Sequence, residues 1–171
     1  MVNTVRGLVY FVILVLVQVL VLNNIHFLRL VTPFLYIYFI IKLPVGYSSV
    51  QVTFLSFLLG MAIDILSNTS GMHAAACTLA GFARPYIIWV FMREDLPENI
   101  YPSYKTFGYG GFIRFAFVFV LLHHISLFLI ESLTLFDPLF LTIRIVAGVA
   151  MTTAFICVIE AFNRETRRDE D

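Results

Sequence analysis

Apolar runs of about the length that crosses a bilayer follow one another along nearly the whole chain, and this single feature removes most folds from consideration. The 171 residues are 60% hydrophobic and 13% charged, with a mean hydropathy of +0.92, more apolar surface than a water-soluble domain of this length can bury. The runs are continuous where a barrel strand would alternate, so the spans are helical, because lipid offers no partner to open backbone groups. The expected fold is an all-α integral membrane protein of six transmembrane helices, a single polytopic domain over residues 1–171. Formal net charge is zero, which gives no reason to expect nucleic acid as a partner.

The spans read as Gly7 to Leu22, Pro33 to Leu43, Val50 to Leu66, Met72 to Phe91, Tyr109 to Ile130, and from Asp137-Pro138 to about Phe162. The first is read as a retained span, since no small-x-small cleavage pattern follows it. Residues Asn23 to Arg29 mix polar and apolar types and are expected in the membrane interface. The second span is short for a bilayer and ends at Lys42 and Pro44, so it is either a short or tilted span extended by its flanks or a re-entrant segment. Residues 93–108 read as a polar loop and residues 164–171 as a charged tail. Seven basic residues (Arg6, Lys42, Arg93, Lys105, Arg164, Arg167, Arg168) flank spans on one side, against Arg29 on the other. That asymmetry puts both termini, the 93–108 loop and the tail in the cytoplasm.

Asp64 breaks the third apolar run, and an ionisable carboxyl there needs a partner or water. At helical spacing it belongs to a narrow stripe of Thr53, Ser56, Phe57, Gly60, Asp64 and Ser67. The next run answers with Gly71, Ala74, Ala75, Thr78 and Gly81, so two helices joined by a short link can approach closely along small residues. Two roles for Asp64 stay open: a helix-end cap beside a close-packed seam, or a partner for a charge such as Arg144. By helical rise Asp64, His73, His123, His124, Glu131 and Arg144 share the outer half of the membrane, where they either form a polar cluster or, for His73 and Glu131, lie at the interface; Arg114 and Glu160 are expected to snorkel to the cytoplasmic side, or to join Arg84 in a second polar group. His123 and His124 are adjacent, about 100° apart on a helix, which argues against a shared metal. Cys77 and Cys157 lack ligand spacing, no cofactor motif appears, and no catalytic motif is present.

The segment from Phe57 to Leu66, with Gly60 four residues before Asp64, followed by Gly71 and the Ala74-Ala75-Ala76 helix, resembles the rod shape-determining MreD family. The link Thr69-Ser70-Gly71-Met72-His73 departs from the Pro-Leu-Gly type common in that family. The resemblance implies a non-enzymatic scaffold of the cell-wall elongation machinery in the inner membrane. Its implied partners are MreC, RodA with its class B penicillin-binding protein, MreB filaments, and membrane lipid. It also implies a fold similar to the S-components of energy-coupling-factor transporters, so the alternative function is a small-molecule-binding transport subunit.

Overall fold

A computed structural model describes residues 2–24, 32–92, 97, 99–133 and 137–168. Every regular element among them is helical: α1 (Val2–Leu20), α2 (Tyr38–Ile41), α3 (Ser49–Ser67), α4 (Met72–Phe91), α5 (Tyr104–Glu131) and α6 (Pro138–Arg168), with 3₁₀ turns at Leu22–Asn24 and Leu35–Ile37. Five of these, α1 and α3 to α6, are long and apolar enough to cross a membrane, which makes this a multi-pass membrane protein. In space α1 packs on α3, α3 on α4, α4 on α5 and α5 on α6.

The helix starts are written in the sequence. Ser48 accepts from the Gln51 amide while the Gln51 side chain accepts from the Ser48 amide, a reciprocal cap that opens α3. Ser103 and Thr106 do the same for α5. Asp137 Oδ1 accepts from the amides of Leu139 and Phe140, with Pro138 in the first turn of α6.

The second span is not a lipid-facing helix. Residues 32–34 are non-helical, one 3₁₀ turn follows, and α2 is only four residues long. Every residue from Phe34 to Ile41 is at most 9% exposed, so this segment threads the centre of the bundle. It touches α1 through Gln18 and Phe11, α4 through His73 and Arg84, α5 through His123, and α6 through Thr152 and Glu160. Irregular backbone at membrane depth is tolerable because protein, rather than lipid, surrounds it.

Two boundaries move. The expected loop over residues 93–108 gives way at Tyr104, where α5 already begins; Tyr104 and Phe107 are buried, and the helix changes direction at Gly108, whose φ of 67° and ψ of 165° suit glycine alone. The expected tail is helical in its backbone through Arg168. Residues 1, 25–31, 93–96, 98, 134–136 and 169–171 lie outside the described residues, so the expected interfacial stretch is described only to Asn24.

Candidate functional site

The α3–α4 hairpin brings most of the small and polar residues singled out in the sequence to one seam. Gly60 is buried, and a Cβ there would meet the Ala74 backbone, with Cα at 2.5 Å and N at 2.7 Å. Gly81 faces α3 from the other side, where a Cβ would lie 2.7 Å from Ser56 Cβ. Close backbone approach along glycine substitutes for the hydrophobic drive that lipid removes. Gly71 supplies the turn in a left-handed conformation with φ of 82°, and Asn68 does the same at the end of α3 with φ of 54°.

Asp64 caps the neighbouring helix rather than its own. Its Oδ2 accepts from the Ala74 amide at 2.7 Å, and its Oδ1 from the His73 amide at 3.2 Å and the Thr69 hydroxyl at 2.5 Å. The carboxyl is 5% exposed and sits at the first turn of α4, where free amides and the positive end of the helix dipole favour an anion. Asp64 does not pair with Arg144. Arg144 Nη1 bonds Glu131 Oε1 at 3.0 Å, and its guanidinium carbon lies 4.5 Å from the centre of the Phe128 ring. The reason is local: the α5–α6 turn carries Glu131 to Arg144 across thirteen residues, while α4 has already supplied Asp64 with donors.

On the outward side of this hairpin runs an open groove of about 940 Å³, from Thr53 and Phe82 up to Asn68, Thr69 and Gly71. Ala74, Ala75 and Thr78 line it on α4, with Phe57, Met61 and Leu79 along it, and Asp64 contributes to its wall. Thr78 donates its hydroxyl proton to the Ala74 carbonyl at 2.6 Å.

A second polar group lies inside the bundle, and it brings together His73 and His123 of the expected outer cluster through Tyr36, which the sequence reading did not include. The Tyr36 hydroxyl stands 2.8 Å from His73 Nδ1 and 2.9 Å from His123 Nε2, and Cys77 Sγ is 3.7 Å from that Nε2. His73 is therefore buried rather than interfacial. One hydroxyl proton cannot serve two ring nitrogens, so one ring accepts from Tyr36 and the other donates to it. Among the described residues His123 Nδ1 is buried without a partner, and a bare lone pair costs less there than a stranded N–H. This places the His123 proton on Nε2, with Tyr36 donating to His73. His124 differs: its Nδ1 donates to the Val120 carbonyl and its Nε2 accepts from Thr152, which in turn accepts from the Phe34 amide. The Phe34 ring fills the space between His73, His123, His124 and Phe128, at centroid distances of 5.2–6.1 Å.

At the opposite end of the segment, Lys42 Nζ bonds Glu160 at 3.1 Å and the Pro102 carbonyl at 2.7 Å, while the Tyr38 hydroxyl donates to Glu160 at 2.6 Å. Glu160 is 4% exposed and held by these two residues, which corrects its expected snorkelling. Arg84 is 1% exposed and donates to the carbonyls of Ile41, Leu43 and Pro44. Arg114 does not join this group; it is exposed and bonds the Gly110 carbonyl of its own helix. Tyr36 and Tyr38, both fully buried in an otherwise apolar run, supply a hydroxyl to each of the two groups, and two tyrosines in such a run were a sign of this core.

Among the described residues no three of His, Cys, Asp and Glu are arranged to hold a metal ion. No family model matches the chain, and neither a curated protein nor a solved structure matches it.

Proposed function

We propose that the chain is a non-enzymatic scaffold of the MreD kind, which helps maintain cell shape by holding MreC and the RodA–class B penicillin-binding protein pair of the wall-elongation machinery, beside MreB filaments. The observation that carries this reading is the hairpin itself. Each residue of the family-like pattern has a physical task there: Gly60 admits the α4 backbone, Asp64 caps α4, and Gly71 makes the turn. Such a pattern serves a fixed shape and leaves a groove on the outer face for another chain.

The transport-subunit alternative asks for an enclosed chamber near the hairpin end of the bundle. That region holds the Phe34 ring against three histidines, and the segment behind it is buried throughout. The scaffold reading is therefore the better supported. On it, the basic-residue asymmetry orients both termini toward the cytoplasm of a bacterial inner membrane, with the α3–α4 turn outside, and the order of segments is similar to that of S-components.

Crosslinking and co-purification from native membranes tests it. Recovery of the glycosyltransferase, its penicillin-binding protein and MreC is expected. Recovery instead of an energising ATPase with a tightly held vitamin or metal overturns the proposal.

A further inference from the structure

The junction at Tyr36 holds one hydroxyl between two imidazoles, and its hydrogen bonds can be completed in two protonation states. In the neutral state, His123 donates from Nε2 to the Tyr36 oxygen at 2.9 Å, and Tyr36 donates to His73 Nδ1 at 2.8 Å. A neutral His73 then carries its own hydrogen on Nε2. A proton added at His73 Nδ1 reverses the second bond, so that both rings donate to Tyr36 and the hydroxyl must send its hydrogen elsewhere. The Cys77 sulfur is the acceptor in place. It lies against the Tyr36 hydroxyl and 3.7 Å from His123 Nε2, so the hydroxyl needs only to rotate about its C–O bond while no ring moves.

We propose that His73 is a proton-binding site, which takes up one proton at the hairpin end of the bundle while the Tyr36 hydroxyl turns from His73 to Cys77. Asp64 gives the proton a reason to stay. Its three donors, the Thr69 hydroxyl and the His73 and Ala74 amides, are all uncharged, and one of them belongs to His73 itself. An imidazolium there forms beside a buried anion that no cation meets among the described residues, and the two charges cancel. The first turn of α4 disfavours a cation by about half a charge, but the Asp64 carboxylate caps that same turn with a whole one. The other charged groups facing His73 are Glu131 of α5 and, bonded to it, Arg144 of α6, which offset each other.

Neither neighbouring ring is as well placed. A proton on His123 Nδ1 would be a stranded N–H, since that atom has no partner among the described residues. His124 has both nitrogens in use, one on the Val120 carbonyl and one on Thr152. His123 and His124 are 0% exposed, whereas His73, in the first turn of α4, is 8% exposed and so is the ring a proton can reach.

The inference rests on the scaffold reading only for direction: with the α3–α4 turn outside, His73 answers to external acidity, and the outer end of the scaffold changes by one charge. Nitrogen NMR of the full chain in detergent, with ring-labelled and residue-assigned histidines, tests it. At about pH 8 His73 and His123 should show the Nε2–H tautomer and His124 the Nδ1–H tautomer; on acidification to about pH 5 His73 alone should become imidazolium. Cys77→Ala removes the acceptor for the turned hydroxyl and should demand about tenfold more acid for half-conversion, the equivalent of one hydrogen bond, while Cys77→Ser restores it. If Cys77→Ala does not accumulate, the S–H infrared band of Cys77, isolated by Cys157→Ser, should move in step with His73. A His73 that stays neutral throughout, a proton taken first by His123 or His124, equal titration of the Ala and Ser variants, or an unmoved S–H band each overturns the proposal. Any of these leaves recovery of wall-synthesis proteins untouched; loss of that recovery alongside the expected titration removes the scaffold and keeps the proton site.

Discussion

Asp64 and Arg84 are both buried charges on the α3–α4 pair, and both are held mainly by backbone rather than by an opposite charge. Asp64 takes two amides at the start of α4; Arg84 takes three carbonyls at the end of the threaded segment. They are electrostatic mirror images, each using the free groups at a helix end. The difference is in reach. Asp64 is satisfied by residues five to ten positions away, whereas the ties of Arg84 cross forty to forty-three positions and those of Glu160 cross one hundred and eighteen or more. Local satisfaction leaves the outward side of the hairpin open. Long-range satisfaction closes the Lys42 end around the segment and fixes where it lies.

Breaking the long-range end should therefore cost the most. Arg84→Ala strands three carbonyls in a dry site and should destabilise by about 3–5 kcal/mol, read as a large drop in the melting temperature of detergent-solubilised protein. A change under about 1 kcal/mol would mean that water or another donor reaches those carbonyls. Arg84→Lys, with one ammonium in place of the fork, should recover only part of the loss.

Gly60→Leu comes next, because its side chain must displace the α4 backbone rather than a flexible neighbour. About 1–3 kcal/mol of overpacking strain is expected, with reduced protein in the membrane. Equal abundance of Gly60→Leu and wild type would place this face against lipid.

Asp64→Asn sharpens the comparison by testing local satisfaction alone. The amide oxygen can keep one set of donors, but its nitrogen cannot accept from the Ala74 or His73 amide, so a loss of about 1–2 kcal/mol is expected. Asp64→Ala should cost more. If Asn and Ala melt together, the cap contributes nothing and the carboxylate's charge must act elsewhere.

The smallest effect belongs to Arg144→Gln. Its pair with Glu131 is partly exposed on both sides, 27% and 39%, and such pairs contribute about 0–1 kcal/mol. A change in melting beyond that range would point to the Phe128 contact rather than the ion pair.

The same contrast governs what was legible. Gly60, Asp64, Gly71 and Gly81 lie on adjacent helices with a short link, so helical spacing alone carried them to one seam. Asp137-Pro138 gives the α6 start from the sequence, whereas the reciprocal caps at Ser48 and Ser103 emerge only in the structure, and the start at Tyr104 was hidden because Lys105 and Pro102 read as loop. Spacing shows which residues share a face but not which distant helix meets it. His73, Glu160 and Arg144 were misplaced for that reason: Tyr36, Lys42 and Glu131 are their partners, and only the assembled bundle chooses among them. The Pro33 to Leu43 segment was the hardest to read, since its 3₁₀ and irregular backbone answers to its surroundings rather than to propensity.

That segment also sets an order of assembly. Eleven residues with a lysine next to the last are too few to settle in lipid as an independent helix, so the segment cannot be committed to the membrane as it emerges. Its anchors on α4 and α5, His73, Arg84 and His123, are made later in synthesis, and those on α6, Thr152 and Glu160, more than a hundred residues later. The innermost part of the protein is thus the last to be secured, and the bundle closes around its second segment only when its sixth has arrived. A chain cut short before α6 would leave its own centre without the Thr152 and Glu160 anchors that hold Phe34 and Tyr38.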